Sequence, residues 1–569
     1  MPSPEHTAYQ ARVLDALREL ATDPDRRRDI DRHANAMLVL WHVDLEPARP
    51  ILELGYRGDR RSEERWCPVV LLRCLLLGAL LGCPNPNDLA PELRCNPVLR
   101  AIVDVICPPD GSRRAASPSI GVFYSFFHRL HDGTQHTGPP VGERPSDHQR
   151  RRAMTPRPPW HARPELDGKE DRKPAAKKRK KASKKVSKHR RRRAKTAAKA
   201  KAKRPNQPKK TAQAALDIAR ALQDTRNPAD LTQRLLEILW ACGVVESAEK
   251  GLLGDVHALI TSGDGSPLET NAAGLGHKLC PCSRRVRCDC PRRFSDPDAT
   301  RGYDSYRKKY VFGHWFYEVA VGSEGHDLPL GLGLFPAHYS DFYASITVTE
   351  RLYKHLRDRT DGWKMATHSA DCGEDGRANH EYLRERDIKP VISISKSVPA
   401  THPDRPDVHL SQRGIPLCDA KVEMASWGTG GKDRPQFVCP VKARKLEHCP
   451  LAPKDDQAWL CQPGTRLGPQ VTVSTKQQPR LHPEISRNSR KYKKLYAIRT
   501  SCERSNGVKK ETLHLNRCRH RRWSFWVTRL YLAALLQHAK AWVAGMDART
   551  WVAGLLGEGP GSSQLAEAA

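Results

Sequence analysis

Apolar positions recur at helical spacing through the first 132 residues. In SPSIGVFYSFFHRL, Phe123, Phe126, Phe127 and Leu130 fall at i, i+3, i+4 and i+7, which predicts a helix with one buried face. Ser117 is placed to cap that helix and Pro118 to fill its first position. The most apolar run, CPVVLLRCLLLGALLG (67–82), contains Arg73 and is shorter than the roughly 20 residues of a membrane span, so it predicts a core helix. Pro84 and Pro86, with the Asn residues beside them, interrupt the pattern. Residues 1–132 therefore predict an all-helical module.

From Ala212 the pattern becomes globular again. Helical stretches (AALDIARALQDT, then DLTQRLLEILWACG) precede a strand, VHALITS, predicted to end at Gly263, Asp264 and Gly265. A Cys-rich insertion (274–298) follows. Two strand-like runs, YVFGHWFYEVAV and LPLGLGLFPA, are joined by the turn GSEGHD. Next come the helix ASITVTERLYKHL, the strand WKMATHSAD ending at Asp371, the helix RANHEYLRERD and the strand IKPVISIS. This order predicts a mixed α/β layer, because its first strands are hairpin-connected while the later ones alternate with helices. Residues 396–485 break the rhythm with Pro, Gly, Lys, Cys and short β-prone runs, and predict a β-rich insertion. Helix returns near Lys491 and again at WSFWVTRLYLAALLQHAKAWVAGM. The globular unit so delimited is 212–546, followed by a tail, 547–569, whose last residues (GEGPGSSQLAEAA) are predicted to be disordered.

Charge changes the picture more than length does. The chain has 569 residues, enough for two to four domains, but only 38% are hydrophobic and the formal net charge is +33. Between Lys169 and Lys210 there are 22 Lys or Arg against Glu170 and Asp171, so this stretch carries +20 and the remainder +13. Residues 133–211, Pro-rich and then Lys/Arg-rich, cannot offset the entropy of ordering and predict a disordered linker. A balance this basic suits a polyanion, since each neutralised phosphate releases condensed counterions. The N-terminus shows no basic region leading into an apolar run, so no secretory signal is expected, and 17 Cys then point to reduced thiols in the cytoplasm.

Asp264 and Asp371 both fall at the ends of apolar strands, beside Gly265 or Cys372 and Gly373, where sheet-edge loops form sites. The commoner role of such an Asp is in a turn or helix cap, and Asp255, Glu374 and Asp375 are rivals. A third acid, Glu503, lies in YAIRTSCERSNGVKK (496–510). At about 100° per residue, Tyr496, Arg499, Glu503 and Lys510 share an arc of about 60° if the stretch is one helix. Such a stripe is either an exposed salt-bridge row or one wall of a site that handles phosphate. Three carboxylates without His suit Mg²⁺ or a similar hard cation.

The spacing of Tyr496, Arg499, Glu503 and Lys510 is that of the YREK signature of DDE transposases of bacterial insertion sequences, in the insertion-sequence-four-like branch. GDGSPLE (263–269) resembles the first-Asp motif of that family, and SADCGEDG followed by YLRERDIKPVIS resembles its second, although Glu374 stands where an aromatic often does. The helical N-terminal module is similar to the N-terminal DNA-binding and dimerisation domain of these proteins. The resemblance implies an RNase H-like catalytic core with a β-rich insertion, and Asp264, Asp371 and Glu503 as the triad holding two Mg²⁺ or Mn²⁺ ions. It also implies contacts from Tyr496, Arg499 and Lys510 to transposon-end DNA, and a homodimer on double-stranded DNA in the bacterial nucleoid. The activity expected is metal-dependent cleavage at terminal inverted repeats and strand transfer into target DNA. The alternatives are a domesticated, catalytically inactive DNA-binding protein and a nuclease of the same fold without strand transfer.

The cysteines add a second theme. CPCSRRVRCDC (280–290) places Cys280, Cys282, Cys288 and Cys290 close together, a candidate structural zinc site, though two CxC pairs are less typical of zinc than two CxxC knuckles. Cys418, Cys439, Cys449 and Cys461 form a weaker set with long, unequal gaps. The other nine, Cys74 and Cys95 among them, read as small buried hydrophobes. Trp427, in EMASWGTGG, is either a base-stacking residue or, more commonly for a lone Trp beside Gly, a packed one.

Overall fold

The computed structural model of the chain describes residues 2–54, 66–105, 117–132 and 229–558, the last stretch without 275–276, 279–291, 297, 305, 432, 454, 457–458, 460, 518 and 520. The predicted linker 133–211, the predicted helix AALDIARALQDT and Cys280, Cys282, Cys288 and Cys290 lie outside the described residues.

Helix α1 (Pro4–Ala21) begins where the Ser3 hydroxyl accepts the His6 N–H, and it buries Tyr9, Val13 and Leu17 at intervals of four. Helices α2 (Pro24–Trp41), α3 (Arg49–Glu53), α4 (Pro68–Leu80), α5 (Pro86–Cys95), α6 (Pro97–Ile102) and α7 (Ile120–Asp132) follow. As its composition predicts, α4 is buried on nearly every side. Even Arg73 is buried, with its guanidinium carbon 3.6 Å from the Tyr9 ring centroid. Helix α7 buries Phe123, Phe126, Phe127 and Leu130 as expected. It starts at Ile120, however, and the Ser119 hydroxyl, not that of Ser117, accepts the Val122 N–H at 3.4 Å. Ser119 is the serine within reach of that free N–H, and Ser117 lies on the far side of Pro118. Cys74 is buried as expected, whereas Cys95, on the last turn of α5, is exposed.

Helix α8 (Ala229–Leu239) continues through a π turn at Trp240–Val244 into α9 (Val245–Glu249) and leads to the sheet. Its strands are β1 (Leu259–Glu269), β4 (Thr300–Asp304), β5 (Lys309–Ser323), β6 (His326–Pro336), β7 (Met365–Ala370) and β8 (Lys389–Ile392), while β2 (His277–Lys278) and β3 (Arg292–Arg293) pair with each other in the Cys-rich insertion. The order is β4-β5-β1-β7-β8, with β6 also paired to β5. Pairing is antiparallel among β4, β5, β6 and β1 and parallel from β1 to β7 to β8. The β5–β6 hairpin turns at Glu324 and Gly325, both at positive φ, the backbone that a tight antiparallel hairpin needs.

Side chains alternate across β5, so its two faces meet different helices. Helix α10 (Asp341–Arg359) lays Val348 and Leu352 against Gly331 and Gly333 on one face. The other face receives α13 (Thr500–Gly507) and α14 (Trp523–Trp542), with Ser501 against Gly322 and Ser505 bonded to Glu318. Helix α11 (Arg377–Glu385) connects β7 to β8, and α12 (Arg490–Ala497) precedes α13. The insertion contains short strands only: β9 (Thr401–His402), β10 (Arg405–His409), β11 (Ala425–Thr429), β12 (Pro435–Val438) and β13 (Gln470–Thr472).

One hydrophobic core runs from the N-terminal helices into the sheet. Phe127 meets Phe525 of α14 at 4.9 Å between ring centroids, and Trp41 meets Trp551 at 5.6 Å. Trp551 lies on α15 (Ala548–Leu556), so the predicted tail begins with a packed helix. Among the described residues no helix is long and apolar enough to cross a membrane.

Candidate active site

Strand β1 runs through Gly263, Asp264 and Gly265 instead of ending there, because β5 pairs with it as far as Glu269. The two glycines are close-packing residues here. A Cβ on Gly263 would overlap the Tyr317 hydroxyl and stand 2.8 Å from the His368 ring, and one on Gly265 would overlap the Asp341 carboxylate and the Trp315 indole. Asp264 lies opposite Glu318 in the ladder and so shares the face covered by α13. There Asn506 Nδ2 donates to Asp264 Oδ2 at 3.3 Å.

Asp371 follows directly on β7, and its Oδ1 accepts the Gly373 N–H at 2.6 Å. Glu503 stands exposed on α13, one turn before Asn506, and accepts from Arg499 Nη1 at 2.6 Å. A fourth acid joins them. Asp341, the first residue of α10, accepts from Trp315 Nε1 at 2.6 Å, and its Oδ2 lies 3.6 Å from where a Cβ on Gly373 would be. Burial pushes the Asp264 pKa up to about 7, the charges of Asp341, Asp371 and Glu503 add to the rise, and Arg499 opposes it. Burial also raises Asp341 to about 6, against the Trp315 hydrogen bond and with help from Asp371. Asp264 thus lies within reach of the charges of Asp371 and Glu503, and Asp341 joins them as a fourth acid. Asp341 escaped notice because an acid opening a helix has an ordinary role at the positive end of the helix dipole.

The YREK stretch is not one helix. Helix α12 ends at Ala497, Arg499 caps α13, and Val508–Thr512 forms a π turn that carries Lys510. Tertiary contacts account for the poor helix formers between Glu503 and Lys510. Ser505 bonds Glu318 and Asn506 bonds Asp264, both from within the helix. Lys510 Nζ donates to Ser266 Oγ and lies 5.5 Å from the Phe316 ring centroid. Burial lowers its pKa to about 8, with Arg307 adding to the fall. Tyr496 stacks on Tyr492 at 5.6 Å, and Arg499 Cζ is 5.6 Å from the Tyr496 ring centroid. Both tyrosines line a cleft of about 1080 Å³ between the end of β8, the insertion and α12, together with Lys396, Arg413, Arg487 and Lys493.

Two buried networks hold the acid cluster in place. On the α13 face, Lys509 Nζ pairs with Glu318 Oε2 at 2.5 Å, fully buried, and donates to Ser505 Oγ at 2.6 Å. On the α10 face, the Tyr317 hydroxyl donates to Glu374 Oε1 at 2.5 Å, and Thr261 Oγ1 lies 3.1 Å from His368 Nδ1. Burial raises the Glu374 pKa well above the carboxylate range and lowers that of His368 to about 4. Glu374 therefore packs behind the cluster, where burial favours its protonated form, which gives a physical role to its place after Gly373. The remaining rivals are structural. Asp255 accepts the His257 N–H, and Asp375 binds Arg480 at 2.8 Å and Ser395 N–H at 2.7 Å.

Asp264 with three carboxylates near enough to act on it is a hard-oxygen donor set, and it fits a divalent cation that would relieve the repulsion on Asp264. Asp264, Asp341, Asp371 and Glu503 are the residues that would hold it. As placed, no group of three or more His, Cys, Asp or Glu side chains among the described residues is set to hold a metal ion. Glu503 is turned to Arg499, and Asp371 to the Gly373 N–H. Comparison with known proteins finds no matching family model, no similar curated protein and no similar solved structure.

Proposed function

We propose that this chain is a DDE-type DNA transposase with an RNase H-like core. The observation that carries the reading is that Asp264 on β1, Asp371 after β7 and Glu503 on a distant helix, the acids that the family resemblance implies, come close enough for the charges of Asp371 and Glu503 to act on Asp264. The sheet supports it. Its path from β6 through β5, β1 and β7 to β8 is antiparallel in the first half and parallel in the second, with helices on both faces. Divalent ions bound at the cluster would activate a water or a 3′ hydroxyl and stabilise the leaving oxygen of a phosphodiester.

The side chains around the cluster have distinct parts. Arg499, held beside Glu503 and next to the Tyr496 ring, offers a bidentate donor to a DNA phosphate. Lys510, tucked against Ser266, keeps a positive charge near Asp264 at neutral pH. Tyr492 and Tyr496 with Lys396, Arg413 and Lys493 give the adjoining cleft aromatic faces and positive charge suited to a DNA strand.

The test is cleavage by the purified full chain, given Mg²⁺ and linear DNA carrying the sequences that flank its gene. Nicks at an inverted repeat and joined products with a target plasmid are expected. Asp371→Ala should reduce both by more than about a hundredfold, the upper end of what losing an outer-shell metal partner costs. Equal activity in that variant removes Asp371 from the mechanism. Nicks without joining favour a nuclease, and binding without nicks an inactive DNA-binding protein.

A further inference from the structure

The β-rich insertion contains Cys418, Cys439, Cys449 and Cys461, far apart in sequence, and the fold brings all four to the wall of one pocket of about 20 Å³. A single water-sized sphere needs roughly 10–15 Å³, so the pocket admits one atom or ion and no organic ligand. Apart from Asp419, the rest of its described wall is Ala, Val, Leu and Pro. All four thiols are free, Cys439 buried and the others half-buried.

The backbone presents these thiols on turns. The Lys421 N–H bonds the Cys418 carbonyl at 2.8 Å, Ala443 N–H that of Cys439 at 3.0 Å, and Ala452 N–H that of Cys449 at 2.9 Å. Lys421 and Arg444 take positive φ in the first two turns. A Cβ on Gly468 would stand 2.8 Å from Cys439 Cβ, so the chain closes tightly behind that thiol.

The segment also needs a source of order. Among the described residues, none between β12 and β13 is in a helix or strand. The nearest apolar cluster is small, formed by Ile415, Met424, Phe437 and Val473. Chains with so little core are held by disulfides or metals, and a chain expected in a reducing compartment has only the second means.

We propose that Cys418, Cys439, Cys449 and Cys461 form a tetrathiolate site for one Zn²⁺ that clamps residues 439–469 to the turn at Cys418. Four soft ligands with no open position make the site structural and not catalytic. The thiols are not yet set around a common point, so capture turns them in from the pocket walls. Four S–H protons pass to solvent as four Zn–S bonds form. This site is independent of the transposase reading.

The test uses the full chain with Cys280, Cys282, Cys288 and Cys290 all changed to Ser, which removes the other cysteine set. One zinc per chain is expected by elemental analysis. Replacement by Co²⁺ should give thiolate-to-cobalt charge-transfer absorption and the intense visible bands of a tetrahedral site. Adding Cys439→Ser and Cys449→Ser should abolish both signals. Absence of zinc and of the cobalt bands in the first variant overturns the proposal, and that result does not depend on how the second variant folds. Retention of the metal in the second variant overturns it equally, as does a disulfide between any two of the four thiols in protein purified without reductant.

Discussion

Asp264 shows how much one side chain's surroundings decide. Its pKa of about 7 in the folded chain stands well above the roughly 3.9 of an unfolded Asp, so folding favours the protonated form. Stability on its account is greatest below about pH 4 and falls as pH rises toward 7, where the buried charge costs on the order of a few kcal/mol. Asp264→Asn should therefore raise the Tm at pH 8 in the presence of a chelator, and the gain should fade toward pH 4.5. Thermal melts across that range check it, and a constant difference would mean that repulsion within the cluster is not its source. Mg²⁺ should raise the Tm of the unchanged chain at pH 8 and do so less for the Asn variant. Asp264, Asp371 and Glu503 are legible from spacing, whereas Asp341 becomes visible only when α10 packs against Gly265. Trp427 and Cys95 correct the same kind of reading in reverse. Cys95 reads from sequence as buried, and packing is the commoner of the two readings of Trp427, yet both are exposed, Trp427 at 47%.

At the scale of elements, the stretch from Arg490 to Thr512 is two short helices and a π turn where the residue spacing suggested one stripe. Its poor helix formers stay helical because their side chains bond the sheet, a tertiary gain of about 1 kcal/mol per hydrogen bond that exceeds their propensity cost. The Glu318–Lys509 pair lies at the centre of that attachment. Lys509→Met leaves Glu318 without its counter-ion in the core and should cost about 3–5 kcal/mol in urea denaturation. The double change Glu318→Gln and Lys509→Met should recover much of the loss. If the single and double variants are equally destabilised, packing and not charge governs the site. The strand ends were the least legible feature here. Gly263 and Gly265 have turn-like composition, and their need for bare backbone comes from Tyr317 and Asp341 pressing on them from across the sheet.

For the whole molecule, the N-terminal helices share their core with α14 and α15, and Arg27 pairs with Glu558 at 2.6 Å. The two ends of the described chain are thus one packed body with the sheet. The +20 tract between Lys169 and Lys210 contributes at a different level, through nonspecific attraction to phosphate. Deleting it should weaken DNA binding and make the plot of log affinity against log salt shallower, with the Tm unchanged. Fluorescence anisotropy at several salt concentrations measures this, and an unaltered slope would show that the folded surface supplies the phosphate contacts.

Periodicity was enough to determine the helical start of the chain and the mixed α/β succession, and motif resemblance pointed to three of the four clustered acids. Each of these follows from local pattern: a 3.6-residue repeat, a run of β-prone residues, a short motif around an acid. Tertiary structure alone decided that Asp341 belongs with those acids, that Glu374 lies buried behind them, and that four scattered cysteines share one pocket. Those facts depend on which faces of distant segments come together, and the repeat of a single element carries no record of its partner.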